Sequence, residues 1–489
     1  MDSHAPFSSA GGGPVSGSET PGAPTPLESH HKRGKRALVI GAGVSGLSTA
    51  LHLQDSGWSV QVLERAPDIG GVIRSERLPE GFLSEAGPSE MLLRSEAVLS
   101  ILRRIGLDAS LQEANAHARK RFITRNGQLH PVPLGPFSLM TTGLWSLRGR
   151  LRVLREPWIP PAPDAGEESV ATFVRRRLGD ELFDYAIDPL VSGIFAGDPQ
   201  RLAIRHAFPR LHRLEQEHGS LVRGAIAQAR ARRRSGEPRF RSRLISFKEG
   251  MQELPRAFAR ALDEPPATSA ELRALEPIPH GWSARWEEGE AVHHGRFDAV
   301  VCAVPAHRIF DLPIPEPLKH EARTLREIPY APVATVLTGH PRSGVAHPLD
   351  GFGVLHPARE NRATLGTLFI STLFPGRAPA GKVSLLTFVG GRRAPDRIEC
   401  PDAALLEAVA RDHRALLGAS ASPEFHRIVR WPQAIPQYEC GYQRFHGCME
   451  QIERDFPGFF FAGSYRQGPG IGDCLLAGRD RAARIAGRA

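Results

Sequence analysis

The segment 36–75 constrains the fold of this chain more than any other part of it. An apolar run at residues 37–40 leads directly into G-A-G-V-S-G at 41–46, which opens an amphipathic stretch with apolar residues at helical spacing. A second apolar run at residues 60–63 ends on Glu64. Strand, glycine-rich turn, helix, strand and acid follow one another in the order of a dinucleotide-binding βαβ unit. The sequence therefore predicts an α/β fold built on a Rossmann-like domain.

Each glycine of this turn has a distinct task in such a unit. Gly41 allows the tight turn, Gly43 lets the backbone approach a pyrophosphate, and Gly46 allows the helix to pack closely on the strand. The phosphates would lie on the free N–H groups at the helix N-terminus, and Glu64 would accept hydrogen bonds from the adenosine ribose. The candidate cofactor-binding residues of this unit are Gly41, Ala42, Gly43, Val44, Ser45, Gly46, Glu64 and Arg65.

A second glycine pair, Gly70-Gly71, follows shortly after the acid. A second close approach of the backbone suits the longer, folded-over FAD better than NAD, so non-covalently bound FAD is the expected cofactor. The E-R…G-G…S pattern at residues 64–75 resembles the flavin-dependent amine oxidase superfamily. In that superfamily a Gly-Pro pair further along lies against the flavin. The resemblance adds Gly70, Gly71, Gly87, Pro88 and Ser89 to the cofactor-binding candidates.

Composition narrows the class of protein. A length of 489 residues with 41% hydrophobic residues predicts a globular chain of two or three domains. The net charge of +9, mostly from arginine, suits nucleic acid, an anionic membrane or an anionic substrate. No aromatic-studded RNA motif, zinc-finger spacing or heptad run supports nucleic acid. The 5 cysteines are widely spaced without C-x-x-C, so neither a disulfide framework nor a metal site is expected, and Cys302 is expected to be a core thiol.

The sequence has no apolar run long enough for a transmembrane helix. Residues 131–163 nevertheless alternate large apolar side chains with arginines. This pattern suits an interfacial membrane patch, and it suits equally well a helix packed on the protein with its arginines in solvent. Residues 1–34 are rich in Gly, Ser and Pro, and we expect them to be disordered and to carry no targeting signal. We therefore expect a cytoplasmic protein, peripheral to the inner (cytoplasmic) membrane.

The remaining chain is predicted to alternate helices and strands. Helices are expected at residues 98–107, 169–178, 180–187, 251–262 and 404–416, with a closing helix after 468. Strands are expected at residues 271–279, 281–286, 297–305, 333–337, 364–371, 383–389 and 458–464, with a hairpin at 121–129. We expect Ser169 and Asp180 to cap their helices and Pro189 to stop the second, leaving 190–197 as a turn. The arginine-dense residues 221–243 are more simply a solvated basic face than a ligand site.

The segment 188–199, D-P-L-V-S-G-I-F-A-G-D-P, resembles the D-P-x-V-S-G-V-Y-A-G-D-P signature of the protoporphyrinogen oxidase family. Further motifs of the family match at residues 121–122, 207–209, 214–216, 351–353, 435–438 and 461–465. The resemblance implies the oxidation of a porphyrinogen, a large apolar macrocycle bearing carboxylates, with FAD and molecular oxygen in haem synthesis. Imine–enamine tautomerisation would relocate the reacting bond, so no dedicated protein base is implied.

Substrate-positioning residues are also implied by the resemblance. Arg121 would pair with a propionate, Phe352 and Leu355 would sandwich the rings, Phe388 would add a large apolar wall, and Gly193 would offer a backbone contact. A surface arginine and packed core residues are the simpler alternatives. Further implied cofactor contacts are Leu275, Trp431, Gly463, Pro469, Gly470 and Ile471, although Ser89 and Pro469 depart from the commoner family pattern.

The motifs also divide the chain into domains. The prediction is a tail at 1–34, a discontinuous FAD-binding domain at 35–116, 244–312 and 425–489, a helical membrane-associated region at 117–236, and a substrate-binding sheet domain at 313–424. Rival functions are coproporphyrinogen III oxidation, polyamine or amino-acid oxidation, and non-catalytic porphyrin carriage or membrane scaffolding. A monomer and a homodimer are both compatible with the sequence.

Overall fold

The computed structural model describes residues 34–133, 142–162, 166–236, 240–420 and 422–488. The predicted disorder of the tail concerns residues of which all but Gly34 lie outside the described part. Residues 134–141 and 163 of the predicted membrane segment also lie outside the described part. These two predictions therefore stay predictions for the residues concerned.

The described residues form a mixed α/β protein with several sheets. Its strands are β1 (Arg36–Ile40), β2 (Ser59–Leu63), β3 (Ser75–Arg77), β4 (Leu83–Glu85), β5 (Met91–Leu93), β6 (Leu111–Glu113), β7 (Lys120–Arg125), β8 (Gln128–Pro131), β9 (Arg243–Phe247), β10 (Ala270–Ile278), β11 (Gly281–Glu288), β12 (Ala291–Phe297), β13 (Ala299–Cys302), β14 (Tyr330–Pro341), β15 (Gly351–Leu355), β16 (Thr364–Leu368), β17 (Lys382–Gly390), β18 (Phe425–Pro436) and β19 (Phe459–Phe461). Its α-helices are Val44–Asp55, Glu96–Arg104, Leu147–Leu154, Val170–Leu178, Asp180–Leu182, Asp188–Phe195, Ile204–Ala207, Pro209–His218, Leu221–Ser235, Glu253–Ala261, Glu316–Ala322, Ile370–Leu373, Asp402–Leu417, Gln443–Asp455, Ser464–Gln467 and Ile471–Arg488.

A parallel four-stranded sheet in the order β19-β13-β1-β2 contains the predicted nucleotide-binding unit. The strands β1 and β2 are joined by the helix Val44–Asp55, which confirms the βαβ prediction. Buried apolar strands covered on both faces are typical of parallel sheets. The strand β13 contains the buried Cys302, as the sequence predicted, and β19 brings the C-terminal segment back beside it.

A second, seven-stranded sheet has the order β18-β14-β17-β16-β15-β7-β8. It is antiparallel except for the parallel pair β15–β7. The predicted hairpin is confirmed as β7 and β8, with the asparagine of the turn in the left-handed region at φ 53°. This sheet takes β7 and β8 from the segment 117–236 and β18 from 425–489, so strands of three predicted domains pair in one sheet. The domain boundaries themselves stay a prediction.

Two expectations for the helical region were wrong. Asp180 does not cap its helix, because Gly179 occupies the N-cap position and no side-chain cap is formed. Pro189 does not stop a helix, because it lies in the first turn of the helix Asp188–Phe195, where proline removes no helical hydrogen bond. The predicted turn at 190–197 is therefore mostly helical and ends at Ala196, which is left-handed at φ 46°. Ser169 does cap its helix, as predicted.

Within the described residues, no helix is long and apolar enough to cross a membrane. The described part of the chain also contains no group of three or more His, Cys, Asp or Glu side chains that could hold a metal ion.

Candidate active site

The predicted phosphate-binding turn has the geometry that its glycines require. Gly41 adopts φ +104°, and a Cβ atom on Gly46 would lie 2.1 Å from the carbonyl oxygen of Gly41. A Cβ atom on Gly43, by contrast, would meet no described atom within 4 Å. Gly43 is the N-cap of the helix Val44–Asp55, which has no side-chain cap and no acidic residue in its first turn. The N-terminal N–H groups of this helix are thus left for an anion.

The second glycine pair lies directly against this turn. The amide of Gly70 donates a hydrogen bond of 2.9 Å to the carbonyl oxygen of Ala42. A Cβ atom on Gly71 would lie 3.6 Å from the Cα atom of Gly43. The glycine segments at Gly43 and at Gly70-Gly71 therefore border one open space, which is called the cradle below. This arrangement lets the backbone approach a long dinucleotide closely at two places.

Glu64 is held beside the turn by the backbone. Its carboxylate accepts hydrogen bonds of 2.9 Å from the amides of both Ala42 and Ala66. The side chain is half-buried, so a carboxylate is fixed at the carboxyl end of β2, where a ribose would lie. Arg65, the next residue, is exposed.

The Gly-Pro segment continues the cradle toward the seven-stranded sheet. A Cβ atom on Gly87 would lie 2.1 Å from the carbonyl oxygen of Val72, so close packing requires a glycine here. The indole N–H of Trp431, on β18, donates to the carbonyl oxygen of Ala86 at 2.7 Å. Pro88 is half-buried, and the hydroxyl of the buried Ser89 donates to Glu90 instead of facing outward.

The C-terminal turn closes the same region. Gly463 has φ +144°, and Gly470, preceded by Pro469, ends the loop before the helix Ile471–Arg488. The hydroxyl of Ser48, on the helix Val44–Asp55, donates to the carbonyl oxygen of Leu475 at 2.8 Å. The N-terminal part of the closing helix therefore packs against the helix of the phosphate-binding turn.

The role of Leu275 as an adenine contact stays a prediction. Its side chain is buried in a hydrophobic core with Trp282, and its amide donates to the carbonyl oxygen of Pro313 at 3.1 Å. The residue that lies beside Glu64 is Ala270, whose amide donates to the Glu64 carbonyl oxygen at 2.9 Å.

The predicted substrate-positioning residues lie on neighbouring strands of the seven-stranded sheet. Arg121 on β7 pairs in register with Gly353, the residue after Phe352 on β15. Leu355 and Phe388 both pair with Gly366 of β16, which places them on the same face. The helix Asp188–Phe195 covers that face: a Cβ atom on Gly193 would lie 3.0 Å from the Leu355 side chain.

An ionic clamp that sequence reasoning missed holds this helix. Asp188 forms an ion pair with Arg393 and accepts from the amide of Ala358 at 2.7 Å. The same guanidinium donates to the hydroxyl of Ser192, one helical turn later, at 2.5 Å. The aspartate and serine of the segment 188–199 thus fasten the helix that carries Gly193. Their i, i+4 spacing was a signal that could have been used.

A second missed feature is the buried ion pair of Glu85 and Arg377, 3.0 Å apart. Burial raises the pKa of the Glu85 carboxyl to about 7, against the lowering effect of Arg377. Burial also lowers the pKa of Arg377 and raises that of Glu90. The carboxylate further accepts from the hydroxyl of Ser75 at 2.5 Å. This cluster fixes the end of β4 immediately before the Gly-Pro segment.

Comparison with known proteins identifies this arrangement. The family model of flavin containing amine oxidoreductases matches residues 44–486, nearly the whole described chain. The chain belongs to this family. It is 32% identical over 471 residues to protoporphyrinogen oxidase 2, chloroplastic/mitochondrial, of Arabidopsis thaliana, covering 91% of this chain and 92% of that protein. This similarity places it among the protoporphyrinogen oxidases of the amine oxidoreductase family.

Two further comparisons bear on the fold and on the choice of substrate. The chain is 26% identical over 470 residues to coproporphyrinogen III oxidase of Bacillus subtilis (strain 168), covering 91% of this chain and 96% of that protein. A crystal structure from Exiguobacterium sp. 255-15 matches with a TM-score of 0.76 at 24% identity, covering 93% of this chain and 99% of that one. The latter shows the amine oxidoreductase fold.

An amine oxidoreductase of this family uses FAD, and the cradle fits it. The open space at Gly43, the facing backbone of Gly71 and the uncapped helix N-terminus suit the pyrophosphate. The fixed carboxylate of Glu64 suits the ribose. The protein is therefore an FAD-dependent oxidoreductase.

Proposed function

We propose that this protein oxidises protoporphyrinogen IX to protoporphyrin IX, with molecular oxygen as the final electron acceptor, in haem biosynthesis. One observation carries the proposal: Arg121 and the apolar side chains of Phe352, Leu355 and Phe388 share one sheet beside the FAD cradle. An apolar macrocycle with carboxylates at its rim needs a wide apolar face bordered by a cation. This combination is unlike a site for a small cationic amine.

Bound FAD would supply the acceptor for the hydride that leaves a methylene bridge of the macrocycle. The residues of this chain bind and orient that macrocycle. Arg121 holds a propionate at the start of β7, while Phe352 and Leu355 cover the rings and exclude water. The clamp of Asp188 and Arg393 keeps Gly193 at contact distance from the ring-covering Leu355. Positioning is thus the contribution that the protein makes to the rate.

The charges around Arg121 favour protoporphyrinogen over coproporphyrinogen III. Arg121 has no ion pair with a carboxylate of the described residues, and it lies over the ring of Phe352. Two arginines beside the helix Asp188–Phe195 are already paired, Arg393 with Asp188 and Arg359 with Asp184. A substrate with four carboxylates would need further free cations at this face, whereas protoporphyrinogen leaves the vinyl-bearing edge apolar. Similarity to the bacterial coproporphyrinogen III oxidase keeps that substrate as the second candidate.

An aerobic assay of the FAD-loaded protein on both porphyrinogens tests the proposal. Porphyrin fluorescence should rise with a higher kcat/KM for protoporphyrinogen IX than for coproporphyrinogen III. Boiled protein and flavin-free protein, measured in parallel, correct for the spontaneous oxidation of both substrates in air. A preference for coproporphyrinogen III would transfer the assignment to the second candidate, and no acceleration of either reaction would refute both.

We further propose that the protein binds peripherally to the inner (cytoplasmic) membrane from the cytoplasmic side. The support is an apolar stripe formed by Leu147, Leu151, Leu154 and Trp158, which are 71%, 62%, 60% and 77% exposed. The first three follow i, i+4, i+7 spacing and therefore lie on one face of the helix Leu147–Leu154. An exposed apolar face of this kind, flanked by arginine, suits the headgroup boundary of an anionic bilayer.

The apolar stripe is anchored to a second helix with exposed apolar residues. The fully buried carboxylate of Glu156 accepts from the amides of Leu221 and Val222, at 2.8 and 3.1 Å, and so caps the helix Leu221–Ser235. It also pairs with the fully buried Arg177 at 3.2 Å. Val222 and Ile226 of the capped helix are exposed, and several arginines follow them. By contrast, Leu144 and Trp145 are buried, so the described part of the segment packs on the protein at these two residues.

A further inference from the structure

The loop after β18 contacts both halves of the candidate site through two consecutive side chains. Gln437 is fully buried, and its amide nitrogen donates to the carbonyl oxygen of Phe195 at 2.8 Å. Phe195 is the last residue of the helix that carries Gly193. The neighbouring Tyr438 is 3% exposed; its hydroxyl donates to the carbonyl oxygen of Ser464 and accepts from the amide of Gly468 at 2.7 Å.

The loop itself is fixed by backbone hydrogen bonds. The amide of Gln437 donates to the carbonyl oxygen of Pro329 at 2.8 Å, and the carbonyl oxygen of Tyr438 accepts from the amide of Ala203 at 2.8 Å. A Cβ atom on Gly197 would lie 2.7 Å from Oε1 of Gln437, so a side chain at this position would displace the amide group. Gly197 is thus needed for the Gln437 side chain to reach the C-terminal end of the helix Asp188–Phe195.

The Tyr438 hydroxyl bonds to both ends of a short turn. Ser464 begins the helix Ser464–Gln467, and Gly468 follows it with φ +122°. This turn directly precedes Gly470, where the backbone meets the N-terminus of the closing helix. A glycine-rich segment has many accessible conformations, and two hydrogen bonds from one rigid phenol select a single one.

We propose that Gln437 and Tyr438 are positioning residues that set the flavin-side turn relative to the substrate-side helix. Tyr438 fixes the turn against which the flavin edge would lie, and Gln437 fixes the C-terminal end of the helix bearing Gly193. Because the two residues are adjacent in one anchored loop, each fixes its own half of the candidate site from a common support. The substrate half of this inference rests on the proposed function, whereas the flavin half does not.

The test of the flavin half uses full-length, FAD-loaded Tyr438→Phe and, as its control, Tyr330→Phe. Tyr330 also accepts from a backbone amide, that of Ala306 at 3.1 Å, and within the described residues its hydroxyl has no hydrogen bond to the turn. Tyr438→Phe should alter the visible circular dichroism of bound FAD and speed FAD dissociation about tenfold, as expected for the loss of a buried hydrogen-bonded group. Tyr330→Phe should keep the wild-type spectrum and dissociation rate.

The test of the substrate half uses Gln437→Met, which keeps the volume of the side chain and loses its hydrogen bonds to the carbonyl oxygens of Phe195 and Ile435. It should raise KM for protoporphyrinogen IX about tenfold, with a smaller change in kcat and an unchanged rate of FAD dissociation. A wild-type flavin spectrum in Tyr438→Phe, or the same change in Tyr330→Phe, would overturn the inference. Failure to oxidise any porphyrinogen would refute the proposed function, and the flavin readouts would still decide the role of Tyr438. If Tyr438→Phe does not fold, a wild-type KM in Gln437→Met overturns the inference by itself.

Discussion

The guanidinium carbon of Arg121 lies 5.5 Å from the centroid of the Phe352 ring, in a cation–π contact. The neighbouring cations of β7 are neutralised within the protein: Lys120 pairs with Asp350, and Arg125 pairs with Glu181 at 2.8 Å. Arg121 has no such carboxylate among the described residues. A planar cation beside an aromatic wall is thus available for a carboxylate on an apolar substrate.

Arg121→Ala should lower kcat/KM for protoporphyrinogen IX about ten- to a hundredfold, because one charge-assisted hydrogen bond is worth roughly 1.5–3 kcal/mol. Both a higher KM and a lower kcat are expected, since the propionate contact also decides which carbon faces the flavin. FAD content, measured by absorbance after release, should stay the same. Lys120→Ala is the matched control and should change kcat/KM less than threefold, because its partner is Asp350.

Esterified substrate separates the propionate contact from other effects of Arg121. Methyl esters of the propionates should slow wild type by about the same factor as Arg121→Ala, and they should slow the variant little further. If the two penalties instead multiply, Arg121 does not hold a propionate and the proposed orientation of the substrate is wrong.

Gly43→Asp should yield colourless protein. The new carboxylate would enter the open space beside Gly71 and repel the pyrophosphate at the helix N-terminus. Gly447→Asp is the control, since a Cβ atom on Gly447 also meets no described atom within 4 Å and this glycine lies far along the chain in another helix. Flavin retained at the wild-type ratio in Gly43→Asp would contradict the assigned phosphate site.

Two charges in the apolar stripe should release the protein from anionic vesicles. Leu151→Glu with Trp158→Glu removes two exposed apolar groups and adds repulsion from the lipid, so partitioning should fall about a hundredfold or more. Val292→Glu, at an exposed valine of β12, is the control and should bind as wild type does. Co-sedimentation with vesicles at low salt measures the effect. Equal binding of wild type, the double variant and Val292→Glu would show that the apolar stripe is not the membrane-binding surface.

Buried histidines lie on the face of the seven-stranded sheet opposite Phe388. Their titration predicts that the folded protein loses stability in acid. Burial lowers the pKa of His413 to about 3, with His340 adding to the effect, and burial lowers that of His356 to about 4 against the raising effect of Asp412. In the unfolded chain these imidazoles titrate near pH 6.5. The neutral histidines therefore contribute their full stabilisation of the folded state above pH 6.5. As the pH falls toward 4, the free energy of unfolding decreases by about 1.4 kcal/mol per pH unit for each histidine.

His413→Gln should flatten this dependence. The glutamine can still hydrogen-bond to Thr387, which lies 3.0 Å from the imidazole Nε2 atom, but it does not titrate. The free energy of unfolding, measured with urea between pH 8 and pH 5, should fall below pH 6.5 by about 1.4 kcal/mol less per pH unit than in wild type. Measurement at pH 8, where neither protein carries the charge, corrects for packing. Parallel profiles of the two proteins over this range would show that His413 is not the group responsible.

The nucleotide-binding half could be predicted from sequence because its signals are local. Gly41, Gly46 and Glu64 lie within one βαβ unit. Each of the two glycines stands where the backbone conformation or the close packing requires a residue without a side chain. The hairpin of β7 and β8 was predicted for the same reason, from two turn residues. A second place where the backbone comes close to the cofactor was also inferred from the glycine pair shortly after the acid, and the structure places Gly71 of that pair beside Gly43.

The substrate half depends on contacts that local patterns do not contain. Glu85 and Arg377 are separated by 292 residues, and Gln437 reaches Phe195 across 242 residues. The helix begun at Asp188 was predicted to be a turn because Pro189 and two glycines are usual turn residues. Its tertiary anchors, Arg393 and Gln437, override that tendency.

Anaerobic mixing of the FAD-loaded protein with protoporphyrinogen IX tests the central claim most directly, because it needs neither oxygen nor repeated catalytic cycles. The visible absorption of oxidised flavin should disappear within a single turnover. Admission of air should restore it, with porphyrin fluorescence and peroxide appearing together. Lys120→Ala should behave like wild type, and Arg121→Ala should be reduced about ten- to a hundredfold more slowly at low substrate. A flavin that stays oxidised in the presence of excess protoporphyrinogen IX would contradict the account.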